Sequence, residues 1–254
     1  MINLKFFENW FDEYTAGVRS RSTSDVLDMV DMKIIHTYKV RDHSINIAKD
    51  INLSNEDVLL AGLIGLFHDL GRFRQAVEYA TMSDKITGSH ADMSEDVFIN
   101  EAPKDGLTEE EIKIIAKALK YHNLLEIPEG VGERELLHSQ LVRDADKLDI
   151  LEIFSNWEEN QKFLYLAKVD GPCTQELLDM VLAGKNFKND KVRNKNDCRL
   201  LFISMVYDLN FKPSLKWVLD NDILSKITGM ADGNADENMK KVCTYVTQWI
   251  KDRL

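Results

Sequence analysis

The sequence predicts an all-α protein, a bundle of helices, and three observations carry the fold class. Proline occurs 4 times and glycine 12 times in 254 residues. A β-sandwich or barrel turns every 8–12 residues or so, usually on Gly, Pro or Asn, and this chain has too few of them. Its apolar residues recur at steps of three and four rather than two, which is the helical period. Apolar residues make up 44% and charged residues 30%, a mix that builds a packed core under a solvated surface.

The elements follow in order. Residues 24–53 read as one long helix, apolar at Leu27, Val30, Ile34, Tyr38, Ile45 and Ala48. Ser54-Asn-Glu-Asp57 resembles a capping box and starts a helix running to about Asp69, with Gly71 expected to end it. Ser89, with Asp92 three residues on, caps a third helix. Thr108-Glu-Glu-Glu111 is a capping box for a fourth, which ends near His122. A loop holding Pro128, Gly130 and Gly132 leads into a helix over 133–157, apolar at Leu136, Leu137, Leu141, Leu148 and Leu151. Beyond it, helices are expected over 175–183, 198–209, 214–228 and 237–253, with a loop at 231–235. No repeat or low-complexity linker divides the chain. The organisation expected is one helical domain over residues 1–160, with a helical C-terminal part, 161–254, packed on it.

Charge and cysteine usage exclude several classes. With 32 basic and 43 acidic residues the formal charge is −11, which argues against sequence-independent nucleic-acid binding. A local site for a small phosphorylated substrate remains compatible with that balance. The N-terminal residues lack the charged, apolar and small-residue regions of a signal peptide. The longest apolar run, Val58–Phe67, falls short of the ~18 residues that a membrane helix needs. Cys173, Cys198 and Cys243 are scattered, with no CxxC spacing, and read as reduced core thiols. A cytoplasmic protein without membrane association is the expectation. A homodimer stays open, with the residues around Asp208, Phe211 and Trp217 serving as packing elements, pocket wall or dimer face.

The chemistry is carried by histidine and aspartate. His36 lies inside the first long helix, and His68 and Asp69 sit at the end of the second. His90 opens the third, His122 closes the fourth, and Asp146 lies in Arg143-Asp-Ala-Asp-Lys-Leu-Asp149. Helix ends and facing helix sides can converge in a bundle. Four imidazoles and two carboxylates can hold one or two divalent ions, and nitrogen with oxygen donors suits Mn, Fe, Co, Ni or Zn. His138, in Leu136-Leu-His-Ser, is expected to be structural.

In order and in local context, His36-Thr-Tyr-Lys-Val40, Leu66-Phe-His68-Asp69-Leu-Gly-Arg72 and Arg143-Asp-Ala-Asp146-Lys147 resemble the H…HD…D signature of the HD-domain superfamily of metal-dependent phosphohydrolases. The resemblance covers about residues 30–155. It implies an all-α bundle in which His36, His68, Asp69 and Asp146 hold a metal. His90 and His122 resemble the two further histidines of the dinuclear members, with Asp69 bridging the ions and orienting the attacking water. His43 is a rival for the first ligand. His36, Val40, Ser44, Ile47 and Ala48 fit the family's helix pattern, however, whereas counting from His43 would run past the Ser54 cap.

The resemblance also implies a basic residue three positions after the HD pair. Here it is Arg72 where many members carry Lys, and a guanidinium suits a phosphoryl oxygen pair. Arg72 is expected to act on the transferred group, with Arg74 and Lys147 as further substrate-binding cations. Tyr121 and Asn123 bracket His122 and are candidates to line the pocket, and Asp144 and Asp149 to orient ligands. Phe154 and Trp157 are read as core. The function implied is hydrolysis of a phosphate ester of a nucleotide or other small phosphorylated metabolite. Two other readings stay open: a di-iron HD-fold oxygenase using the same ligands, and a non-catalytic ligand-binding regulatory module.

Overall fold

In the computed structural model, residues 2–156 and 169–254 are described, and among them there are helices and turns but no strand. The chain forms two compact units, Met1–Asp146 and Lys147–Leu254. The domain boundary expected at residue 160 falls outside the described residues, as does Trp157.

The first unit is built on a central apolar helix. α1 (Leu4–Arg21) starts where the Asn3 side chain accepts a hydrogen bond from the Phe6 N–H, and α2 (Ser24–Asp50) follows after a short break. α3 (Asn55–Phe67) is capped as expected, with Ser54 Oγ accepting from the Asp57 N–H. Its residues Leu60–Phe67 are all buried. A helix that is apolar on every side can only sit inside a bundle. Phe7 and Phe11 of α1 pack edge-on against Phe67 (5.9 Å between ring centroids) and against Phe73 (5.6 Å). Phe67 also meets Phe98 at 6.0 Å. Each of these five rings is fully buried, contributing about 1.5–3 kcal/mol by removal from water. Gly65 allows α2 and α3 to touch, because a Cβ there would fall 2.9 Å from the Arg41 Cα and 3.0 Å from the Val40 carbonyl.

The expectation that Gly71 ends a helix is corrected. α3 stops at Phe67, and after His68 and Asp69 a separate helix, α4 (Leu70–Tyr79), begins with Gly71 inside it. α4 ends at Ala80, whose backbone is left-handed. The short α5 (Asp84–Thr87) leads to α6 (His90–Asn100), capped by Ser89 Oγ accepting from the Asp92 N–H. α7 (Glu109–Tyr121) carries the full Thr108/Glu111 capping box, and α8 (Glu133–Ser155) is the long helix after the Pro-Gly loop. α2 packs on α3, α4 on α6, and α6 on α7. His138 is structural: it is buried, with Nε2 3.1 Å from the Asp57 carboxylate, which also accepts from Arg134.

The second unit contains α9 (Gln175–Leu182), α10 (Lys195–Ser204), α11 (Lys212–Asp220), α12 (Ile223–Thr228) and α13 (Glu237–Lys251). A 3-10 turn, Met205–Asp208, continues α10 to the end expected for it. The single helix expected over 214–228 is two, broken at Asn221 and at Asp222, whose φ of 55° no α-helix accommodates. The Asp197 carboxylate is buried and accepts from the Thr174 N–H, the Thr174 hydroxyl and the Arg193 N–H, closing the loop before α10. Phe154, expected in the core, is half-buried and stacks on Phe202. The three cysteines are free, with Cys198 and Cys243 buried. No helix among the described residues is long and apolar enough to cross a membrane.

Candidate metal centre

Six side chains from five places in the first unit meet at one point. His36 comes from the middle of α2, and His68 and Asp69 form the junction between α3 and α4. His90 is the first residue of α6, His122 follows the last turn of α7, and Asp146 comes from α8. The junction is placed by its neighbours, since His68 ends α3 in helical backbone and Asp69 turns out of it to start α4.

Asp69 is the centre of the arrangement, and its two oxygens face different partners. Oδ2 lies 3.3 Å from His68 Nε2 and 3.6 Å from His36 Nε2. Oδ1 lies 3.5 Å from His90 Nε2 and 3.8 Å from His122 Nε2. Asp146 Oδ1 completes the first half, 3.1 Å from His36 Nε2 and 3.9 Å from His68 Nε2. Each half thus offers a buried triad able to hold an ion, His36–His68–Asp69 and Asp69–His90–His122. Donors about 2.0–2.2 Å from a tetrahedral ion lie about 3.3–3.6 Å from one another, and the observed spacings bracket that value.

The tautomers make the fit to a cation sharper. His68 Nδ1 is 2.8 Å from the Gly65 carbonyl and His122 Nδ1 is 2.6 Å from the Leu119 carbonyl. His90 Nδ1 is 2.7 Å from the Asp84 carboxylate. These oxygens only accept, so each Nδ1 carries a proton, and in the neutral imidazole the Nε2 lone pair turns inward. His90 and His122 then bring two lone pairs to 3.0 Å. Two neutral imidazoles repel in that contact, and a cation between them turns it into a pair of bonds. Burial holds the His122 imidazole down to a pKa of about 3, so its own protonation does not supply that cation near neutral pH.

The charges are set by burial and by partners. Burial raises the Asp69 carboxyl, but the Lys33 ammonium at 2.6 Å and then His68 outweigh it and hold the group well below the usual carboxylate range. Burial likewise raises Asp146, and the hydrogen bond and charge of His36 bring it far below that range. Both carboxylates are therefore ionised and available as donors.

The other expected residues divide. Arg72 Nη1 donates to the Met82 carbonyl, Asp84 Oδ1 and Gln75 Oε1, and its Nε is buried without a hydrogen-bond partner, 3.9 Å from Asp69 Oδ1. Arg74 does not join the cluster and is bonded to Asp96 and Glu101. Lys147 pairs with Asp208 at 2.8 Å in the second unit. Asn123 Nδ2 is 3.4 Å from His90 Nδ1, while Tyr121 takes Lys117 over its ring. His43 stays outside the cluster, half-buried on α2, and Asp144 is buried on α8.

Three residues that sequence reasoning missed support the centre. Lys33 pairs with the Asp69 carboxylate. Asp84 orients His90 and is held in turn by Arg72 and Gln75. Burial raises its carboxyl, but His90 and Arg72 bring it down to about 2. Arg143 donates to the carbonyls of Tyr121, Leu124 and Leu125 and so fixes the chain on either side of His122. No spacing rule points to Asp84 or Lys33, but Arg143 stands in the same motif as Asp146. Asp84→Asn keeps the shape but weakens the bond that fixes the His90 ring. Metal affinity is expected to fall about 10–100-fold, read by titration of chelator-stripped protein.

Residues 34–151, which contain all six converging side chains, match the family model described as the HD domain. The chain carries an HD domain. HD domains bind divalent metals and belong to a superfamily of metal-dependent hydrolases. Comparison with curated proteins and with solved structures gives no match.

Proposed function

We propose that this HD domain is a metal-dependent phosphohydrolase cleaving a phosphate ester of a nucleotide or another small phosphorylated metabolite. One observation carries the reading: the two oxygens of Asp69 face two separate histidine pairs, the arrangement that a bridging carboxylate needs. His36, His68, Asp69 and Asp146 would hold one ion, and Asp69, His90 and His122 the other. Mn, Fe, Co, Ni and Zn all suit such nitrogen and oxygen donors. Bound there, the ions supply a water acidified toward roughly neutral pKa and positive charge for the reacting phosphoryl group.

The chain's own residues do the rest. Asp69, ionised and central, is the acceptor that orients the attacking water. Arg72 is the cation for the phosphoryl group. Its Nη1 is held by Met82, Asp84 and Gln75, which fixes the guanidinium plane, and its Nε remains unpartnered on the Asp69 side. A guanidinium held before substrate arrives loses little freedom in the transition state. Arg74 is committed to Asp96 and Glu101, which leaves Arg72 the stronger assignment of the two.

The test is a panel of phosphomonoesters, phosphodiesters and nucleotides offered to chelator-stripped protein with each metal restored in turn. Phosphate release should need metal, and Arg72→Ala should lower kcat/KM about 100-fold. Release that survives chelation overturns the mechanism. Oxygen uptake with no phosphate release assigns the centre to oxygenase chemistry instead.

A further inference from the structure

The inference rests on the metal reading above and concerns Lys33. This residue lies one turn before His36 on α2, and its Nζ is 2.6 Å from Asp69 Oδ2. The same oxygen faces His36 and His68. Among the described residues no ammonium contacts the other oxygen, Oδ1; Arg72 Nε stands 3.9 Å away, on a guanidinium already bonded to Asp84. The two halves of the centre are therefore electrostatically unequal. The half with two carboxylates, Asp69 and Asp146, is also the half with a lysine charge built against it.

The geometry points to Lys33 as a resident cation that sets the metal affinity of the His36–His68–Asp146 half. Without a divalent ion, the ammonium neutralises the buried Asp69 carboxylate and holds it in place. When an ion enters, the same ammonium opposes it as a like charge a few ångströms away. The side chain is 19% exposed, so the repulsion is only partly screened. A carboxylate oxygen has two lone-pair directions, so an ion and the ammonium can share Oδ2. The lysine therefore weakens binding without excluding the ion. It also leaves the loaded centre with one more positive charge, which favours an anionic ester.

This role has a signature that a merely structural lysine lacks. A structural residue, when replaced, loosens the site and weakens metal binding. A resident competitor, when replaced, strengthens it. The experiment is calorimetric titration of chelator-stripped protein with manganese, on the full chain, for wild type, Lys33→Gln and Lys33→Arg. Gln keeps a donor for Asp69 without the charge, and Arg keeps the charge. Lys33→Gln should bind its first manganese at least tenfold more tightly, and Lys33→Arg should stay within threefold of wild type. Thermal melts read the same effect: Lys33→Gln should melt lower than wild type in chelator and gain more from saturating manganese. Equal or weaker binding by Lys33→Gln overturns the inference while leaving the metal reading intact. A wild type that takes up no manganese overturns both. Failure of the phosphoester panel with normal manganese uptake touches the proposed hydrolysis and not Lys33.

Discussion

Asp69→Asn is expected to reduce the bound metal to no more than one ion per chain and to lower hydrolysis at least about a thousandfold. An asparagine has the size of an aspartate but only one acceptor oxygen. Whichever way the amide turns, its NH2 meets either the His36–His68 pair or the His90–His122 pair, both of which face Asp69 within 3.3–3.8 Å. One half therefore loses an anionic donor and gains a donor group aimed where an ion should sit. The other half keeps a neutral amide oxygen in place of a carboxylate. His68→Ala is the informative companion, because it removes a donor from one half only. It should cost one ion and leave the His90–His122 half occupied. Metal analysis on the protein used for initial-rate measurements decides the matter. Two ions and an unchanged rate in Asp69→Asn would remove this residue from the centre.

The parts of the fold that were legible in the sequence are those governed by local hydrogen bonds and period. Ser54, Ser89 and Thr108 each cap the helix they were expected to start, because a cap needs only a hydroxyl and an N–H two or three residues on. The break at Asp222 was not legible, since the apolar period runs on through it and only the tertiary fold turns that residue left-handed. α1 was not read as a helix, although its buried positions Phe7, Phe11, Thr15 and Val18 follow the helical step. The six converging residues were legible because order along the chain and the His-Asp dipeptide mark them together. Lys33 and Asp84 were not, because a lysine inside a helix and an aspartate at a helix start are ordinary until a neighbour 36 or 6 residues away gives them a partner.

Gly71 joins the two subjects, and its replacement is the most severe single change expected outside the ligands. A glycine after an apolar helix reads as a stop, yet Gly71 lies inside α4, buried, with ordinary helical backbone. Its missing side chain is what lets α4 lie against α6. A Cβ there would fall inside contact distance of the His90 carbonyl oxygen, and 2.8 Å from both Met93 Cβ and the Ser94 nitrogen. Two of those three atoms are backbone and cannot step aside. The Gly71 N–H donates to Ser94 Oγ, which in turn donates to the His90 carbonyl, so the contact also fixes the first turn of the helix that starts at His90. Gly71→Ala must push α6 away from α4, breaking that pair of bonds and moving His90. We expect a loss of about 3 kcal/mol or more in chemical denaturation. Protein that still folds should lose the ion at His90 and His122 before the one at His36 and His68. Gly17→Ala supplies the control, since nothing lies within 4 Å of a Cβ at that position in α1. There the same substitution should stabilise by about 0.5–1 kcal/mol through helix propensity alone. Opposite signs for one chemical change at two helical glycines would show that the α4–α6 contact, and not glycine as such, positions His90. Equal effects at both sites would overturn that account.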